Sequence, residues 1–223
     1  SATTAPGKTH TYAGKQPYAE ARPLALAEIP RLLDDYRAAA ANARAAGFDA
    51  VQIHAANGYL IDQFLRDGSN LRDDAYGGRP ENRIRLLREV TEAVVDAVGA
   101  DRTGVRLSPN GDSQGVIDSA PETVFPLAAE ALARIGIAFL ELREPGPDGT
   151  FGRTDQPRQS PAIRRAFDGV LVLNSDYRGA QAQQALDSGL ADAISFGRTF
   201  LANPDLPARL AADAPLNPDV MAT

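Results

Sequence analysis

The feature that most limits what this chain can become is an alternation. Five short apolar segments, "FDAVQIHAA", "TGVRLSP", "AFLELREP", "GVLVLNS" and "DAISFGR", are separated by stretches with helical periodicity. Short apolar runs bounded by turn residues read as strands, and apolar residues at i, i+3 and i+4 read as helices. "LAEIPRLLDDYRAAAANARAAG" places Ile29, Leu32, Leu33 and Tyr36 on one face and ends on Gly47. "PENRIRLLREVTEAVVDAVG" has Pro80 near its start and Gly99 past its end, the asymmetry expected of helix termini. "GYLIDQFLRD", "APETVFPLAAEALARIG", "GAQAQQALDSG" and "NPDLPARLAAD" complete the helical set. Strands that alternate with helices predict a parallel sheet covered by helices. No Gly-rich dinucleotide turn follows a strand, which favours a (β/α) barrel over a Rossmann sheet. A closed barrel has eight strands in ~250 residues. The expectation is an α/β chain of the (β/α)8 TIM-barrel type with about five of eight βα units. Residues 1–223 read as a single partial barrel domain. Residues 1–25 form its loop or hairpin region, where "THTYAGKQPY" predicts a small hairpin turning at Ala13-Gly14, and residues 26–223 form its βα units.

Composition then narrows the chemistry. Cys is absent, which removes disulfides, thiol nucleophiles and Cys-ligated metals. The only lysines are Lys8 and Lys15, so no later strand can carry a Schiff-base lysine. The only imidazoles are His10 and His54, so a His-rich metal site is excluded and no metal is expected. P-loop and GxGxxG signatures are missing. Net charge is −6 with no basic block, which argues against a nucleic-acid partner. No apolar run approaches the ~20 residues of a membrane span. "SATTAPGKTH" has no leader-like apolar region, and a cytoplasmic location is expected. The remaining chemical resources are His54, tyrosines, arginines, carboxylates and a bound cofactor.

In a barrel of this kind the site lies at the C-terminal ends of the strands. Reading those ends in order gives His54 and Asn57, Arg106 and Ser108, Arg143 and Glu144, Asn174 and Ser175, then Gly197 and Arg198. The set is rich in donors and cations and poor in bases. It suits an anionic ligand and a carbonyl oxygen better than activation of water. Each member also has a structural reading. His54 can be a satisfied scaffold residue, Asn57-Gly58 a turn, and Tyr59 a packed aromatic with a solvated hydroxyl. Arg106 lies within "VRLS" and, if buried, needs a partner. "FGR" can be a capping turn with Arg198 paired at the surface. "YGGRPENR" reads as loop plus helix start, and the acidic residues of "LRDD" and "LLDDYR" as solvated faces.

Taken together, "GFDAVQIHAANGYLIDQFLRDGSNLRDDAYGGRPENR", "VRLSP" and "ADAISFGRTFLANPDL" resemble the old yellow enzyme family of FMN-dependent alkene reductases. The similarity runs from "GKTHTYAGKQPYAEARPL" onward and is strongest to the bacterial 2-cyclohexen-1-one and N-ethylmaleimide reductases. The resemblance implies an oxidoreductase that passes hydride from NADPH or NADH through FMN to an activated alkene. It implies that His54 and Asn57 hold the carbonyl oxygen of an α,β-unsaturated substrate and that Tyr59 donates the proton. Two fixed donors would stabilise negative charge developing on that oxygen. A phenol, protonated at neutral pH, can act as the general acid. By the same resemblance Arg106 lies beside the flavin, and Ser175, Asp176, Gly197 and Arg198 form its phosphate-binding turns. "LNSDY" departs from the small, Gly-containing turn of many relatives, so the Asp176 side chain is expected to point away from a phosphate.

The family pattern also contains three earlier strands and a C-terminal tail that this sequence does not match, so it reads as the C-terminal five-eighths of such an enzyme. Five strands leave two open edges. A companion chain supplying the missing strands, or self-association, is therefore expected. The competing readings are a fragment that binds FMN or phosphate without turnover, an inert scaffold, and, more distantly, a lyase or aldolase barrel.

Overall fold

The computed structural model describes residues 8–19, 21–149, 152 and 154–218. The first seven residues, on which part of the leader reading rests, and the terminal "DVMAT" lie outside the described residues.

The chain opens with a hairpin of β1 (Lys8–Thr11) and β2 (Gly14–Pro17). Thr11 pairs with Gly14, so Tyr12 and Ala13 make the turn, one position earlier than expected. The Thr11 side chain sets this register. Its hydroxyl donates to the Gly14 carbonyl at 2.8 Å and accepts from the Ala13 N–H at 3.1 Å.

The βα units follow. They are α1 (Ile29–Ala45), β3 (Val51–His54), α2 (Leu60–Leu65), α3 (Pro80–Arg83), α4 (Arg85–Val98), β4 (Thr103–Leu107), α5 (Pro121–Ile135) and β5 (Phe139–Arg143). Then come α6 (Ser160–Ala166), β6 (Val170–Asn174), α7 (Gly179–Asp187), β7 (Ala193–Ile194), α8 (Arg198–Ala202) and α9 (Leu206–Ala211). All five expected strands form. Gly99, at φ +96°, ends α4 in a backbone region that suits only glycine well. The helix expected from Pro80 to Gly99 is split at Ile84. α6 lies where only a loop was expected. It is too short for a periodic signal, and its first N–H groups are met by a side chain from far back in the chain, Glu144.

The five strands form one parallel sheet in the order β3-β4-β5-β6-β7. Each strand pairs with the next one in sequence, which is barrel order; a doubly wound sheet reverses direction at its first strand. Among the described residues β3 and β7 each have a single strand neighbour. None of the helices is long and apolar enough to cross a membrane among the described residues.

Side chains alternate between the two faces of the sheet. One face carries Ile53, Val105, Leu107, Leu140, Leu142, Leu171 and Leu173, all buried in the main core with Leu86, Val90 and Val94 of α4 and Phe125 and Leu132 of α5. The other carries Gln52, His54, Arg106, Glu141, Arg143 and Asn174, aligned by the register His54↔Arg106↔Glu141 and Arg143↔Asn174. The strands thus alternate, whereas the sequence reading took most of them as nearly continuous apolar runs. "YGGRPENR" is loop followed by the start of α3, as the structural reading had it. Asn70 donates to the carbonyls of Phe64 and Tyr76, both at 2.7 Å. Arg83 pairs with Asp118, both side chains buried. Asp74 is not simply solvated: it is paired with Arg72, whose side chain is buried.

Gly104 faces Phe139 across the β4–β5 pair. A Cβ there would sit 2.3 Å from the Phe139 ring. Gly104→Val is expected to cost about 1–3 kcal/mol through forced displacement of that ring. A urea midpoint unchanged from the parent would show that the ring moves freely.

Candidate active site

β3 delivers His54 to the polar face, and the chain then turns sharply. Ala55 and Ala56 are fully buried, and the Ala55 N–H continues the ladder to the Arg106 carbonyl at 3.0 Å. Asn57 and Gly58 both adopt left-handed backbone, at φ +58° and +77°. Asn tolerates this conformation better than most residues, and such geometry concentrates at functional sites. Tyr59 caps α2 and is 55 % exposed. Its ring lies 5.3 Å from the His54 ring, tilted by 56°. The Asn57 Oδ1 is buried without a hydrogen-bond partner among the described residues. His54, Asn57 and Tyr59 therefore meet in one short turn.

A buried polar support lies beneath that turn. Asp62 Oδ2 accepts from the Gly58 N–H at 2.8 Å and from the Ser108 hydroxyl at 3.3 Å. Its other oxygen pairs with Arg66 Nε at 2.8 Å. Arg66 also donates to the Ser108 carbonyl at 2.5 Å, and Ser108 Oγ accepts from the Asn57 N–H at 2.8 Å. Asp62, Arg66 and Ser108 are each at most 2 % exposed. Sequence reading missed Asp62 and Arg66. Their signal is an Asp and an Arg four residues apart among the apolar positions of a short helix.

Arg106 stands next to His54 in register. It donates to Asn174 Oδ1 at 2.9 Å and lies 3.6 Å from the Glu141 carboxylate. Gln52 donates to Glu141 at 2.8 Å, and the Ser195 hydroxyl does so at 2.6 Å. The buried Arg106 Nε has no hydrogen-bond partner among the described residues. The partner that a half-buried Arg needs is thus Glu141, which the sequence reading did not single out. Strand parity carries that signal, since Glu141 and Arg143 point the same way from β5. Glu144, included with Arg143 at the strand end, belongs elsewhere. It faces the helices, where its carboxylate accepts from the N–H groups of Gln159 and Ser160.

The second cluster lies at the ends of β6 and β7. Ser175 and Asp176 are both left-handed, at φ +102° and +53°. Arg143, Asn174, Ser175, Asp176, Gly197 and Arg198 line a cavity of about 360 Å³. It adjoins a larger one of about 870 Å³ that includes Arg158 and Tyr177. A Cβ on Gly197 would meet no atom within 4 Å, so backbone there is open to close approach. The Asp176 carboxylate is paired with Arg198, the side chain expected to meet a phosphate. Asn174 joins the two clusters: it accepts from Arg106 and lines the smaller cavity.

Burial and the clustered cations set the electrostatics of the polar face. Burial and the Arg106 charge hold the Arg143 guanidinium below its usual value. Two cations this close favour an anion between or beside them. Burial, then the Arg106 charge, lowers the His54 pKa below 6.5, against the opposing charges of Asp62 and Glu141. The imidazole is therefore neutral at pH 7. Because the unfolded chain protonates first, His54 costs no stability above pH 6.5 and erodes it progressively as pH falls below that value. An NMR titration of the His54 ring is expected to give a midpoint below 6.5. A midpoint at or above 6.5 would mean the carboxylates dominate.

Comparison with known proteins gives three results. A sequence profile of the NADH:flavin oxidoreductase / NADH oxidase family matches residues 2–217. A putative 12-oxophytodienoate reductase 11 of Oryza sativa subsp. japonica is 45% identical over 190 residues, covering 85% of this chain and 52% of the relative. The putative 12-oxophytodienoate reductase 5 of the same organism is 44% identical over 201 residues, covering 90% and 54%. Among solved structures, an old yellow enzyme homologue from Zymomonas mobilis is 62% identical with a TM-score of 0.96, covering 99% of this chain and 62% of that one. Morphinone reductase is 39% identical with a TM-score of 0.86, covering 96% and 60%. The chain spans about half the length of the rice relatives it matches.

Proposed function

Since the chain belongs to the NADH:flavin oxidoreductase / NADH oxidase family, we propose that it carries the FMN-binding and substrate-activating surface of an alkene reductase. The observation that supports this best is the juxtaposition on one sheet face of His54, with Tyr59 beside it at 5.3 Å, and Arg106 in register with it.

The residues present fit the cofactor. Arg106, with a buried Nε that has no partner among the described residues, would meet the electron-rich edge of the flavin ring. Gly197, Ser175 and Arg198 would hold the phosphate in the smaller cavity, through backbone N–H groups and one guanidinium. Asp176 would act on the phosphate only indirectly, by orienting Arg198. Bound FMN would supply two-electron chemistry, taking reducing equivalents from NADH or NADPH and passing them to the β-carbon of the alkene. A solved structure of morphinone reductase holds tetrahydroNAD, which supports a nicotinamide as the reductant.

The chain's own residues would do the rest. Neutral His54 and the Asn57 side-chain amide would each donate one hydrogen bond to the substrate carbonyl oxygen. Charge grows on that oxygen as the β-carbon is attacked, so these bonds strengthen in the transition state. Tyr59 would then protonate the α-carbon. The support under Asn57 and Gly58 keeps the donors in place without reorganisation during the reaction.

A second reading, binding without turnover, is favoured by one observation: β3 and β7 each have a single strand neighbour among the described residues. The sheet face carrying His54 and Arg106 is then open along both edges. A companion chain or a second copy that adds strands there would complete the pocket.

The deciding experiment is a visible absorption spectrum of the purified protein, incubated with FMN and desalted. The expected result is a retained flavin band that bleaches with NADH or NADPH under anaerobic conditions and returns on adding an α,β-unsaturated ketone. A band that bleaches but does not return supports binding without turnover. A colourless protein rejects the assignment of Arg106 and the phosphate turns.

A further inference from the structure

Asn57 is unusual in how its backbone is held. Its N–H donates to the Ser108 hydroxyl at 2.8 Å, and its carbonyl accepts from Gln114 Nε2 at 3.2 Å. Both partners are side chains of the segment between β4 and α5. The left-handed conformation of Asn57 is therefore set by that segment rather than by a regular ladder. Gln114 is itself left-handed, at φ +60°. The other end of its amide is also used, since Oε1 accepts from the Tyr18 hydroxyl at 3.0 Å. Tyr18 follows directly on β2, and the hairpin it anchors is exposed along both strands.

We infer that Gln114 is a positioning residue for Asn57 and that Tyr18 fixes the Gln114 amide in its working orientation. An amide suits this place because it both accepts and donates. A carboxylate could accept from Tyr18 but would face the Asn57 carbonyl with no proton to give. With both backbone groups of Asn57 fixed, its side chain is aimed by the turn instead of drifting with it. The relay also ties the hairpin to the carbonyl-binding turn, so the hairpin is coupled to substrate binding. The effect on substrate rests on the reading of Asn57 given above; the positioning itself does not.

The test uses Gln114→Ala, Gln114→Glu, Tyr18→Phe and the Tyr18→Phe/Gln114→Ala pair. Amide hydrogen exchange is read by mass spectrometry on the peptide spanning residues 54–60. Gln114→Ala is expected to speed exchange there about two- to tenfold, the size of one lost net hydrogen bond. Tyr18→Phe is expected to act in the same direction and to add nothing once Gln114 is Ala. In FMN-loaded protein, Gln114→Ala and Gln114→Glu should raise KM for 2-cyclohexen-1-one several-fold while flavin reduction by the nicotinamide keeps its rate. Unchanged exchange in Gln114→Ala, or independent additive effects of the two changes, overturns the relay. The exchange result stands whether or not flavin binds, so failure of the relay and failure of the proposed activity are told apart. If Gln114→Ala does not fold, Tyr18→Phe alone decides, because it removes only a hydroxyl at the hairpin base.

Discussion

A Tyr59→Phe protein loaded with FMN is expected to reduce an α,β-unsaturated ketone about 10²- to 10⁴-fold more slowly, the contribution of a positioned general acid. Its flavin should still be reduced by NADH or NADPH at close to the parental rate. The selectivity follows from position. The α-carbon of an enone is bonded to the carbonyl carbon, so a phenol beside an imidazole that holds the carbonyl oxygen is also beside the atom that needs a proton. The Tyr59 ring lies 5.3 Å from the His54 ring and is 55 % exposed. Phe preserves the ring packing and removes only the proton. Stopped-flow measurement of the two half-reactions separates the effects. Equal losses in both would remove Tyr59 from the proton-donor role and leave it as a wall of the pocket.

Asp62→Ala is expected to destabilise the fold by about 3–5 kcal/mol, because it strands a buried cation. Arg66 would keep only the Ser108 carbonyl and its stacking over the Phe125 ring at 5.1 Å. The Gly58 N–H would lose its acceptor as well. Urea unfolding, with the slope checked for constancy, measures the cost. The double change Asp62→Leu/Arg66→Met should recover much of it, since an apolar pair of similar volume leaves no charge unpaired. A double variant as unstable as Asp62→Ala would place the cost in the Asn57-Gly58 turn rather than in the stranded guanidinium. Where the single variant folds, weaker substrate binding should accompany the loss, through the loosened turn.

The parts legible in sequence were those encoded locally. Five strands, most of the helices before and between them and the parallel arrangement follow from periodicity and turn residues. The His54–Tyr59 turn was visible because three hydrogen-bonding side chains crowd the end of an apolar run. The unread parts depend on residues far apart in the chain. Glu141 matters because register brings it beside Arg106; parity puts it on the same face of β5 as Arg143, but only the pairing of distant strands sets that face against Arg106. Glu144 was assigned to the site because sequence shows where a strand ends but not which face its last residue takes. α6 escaped notice because its first turn is completed by that same Glu144, more than a dozen residues away. The Asp176–Arg198 ion pair could not be read from sequence, since it joins the turns after two different strands.

The strand order carries a consequence for how the molecule forms. Every strand from β4 to β7 docks on the strand made just before it. Among the described residues no strand of this sheet waits for a distant segment to pair, so loop-closure entropy is met in small steps. During synthesis the sheet can lengthen one βα unit at a time, each new helix covering the apolar face of the strand that has just emerged. The polar row on the other face is assembled in the same sequence. His54 and Arg106 would be side by side well before the Asp176–Arg198 turn exists, so the β3–β4 end of the polar face forms first and the β6–β7 end last.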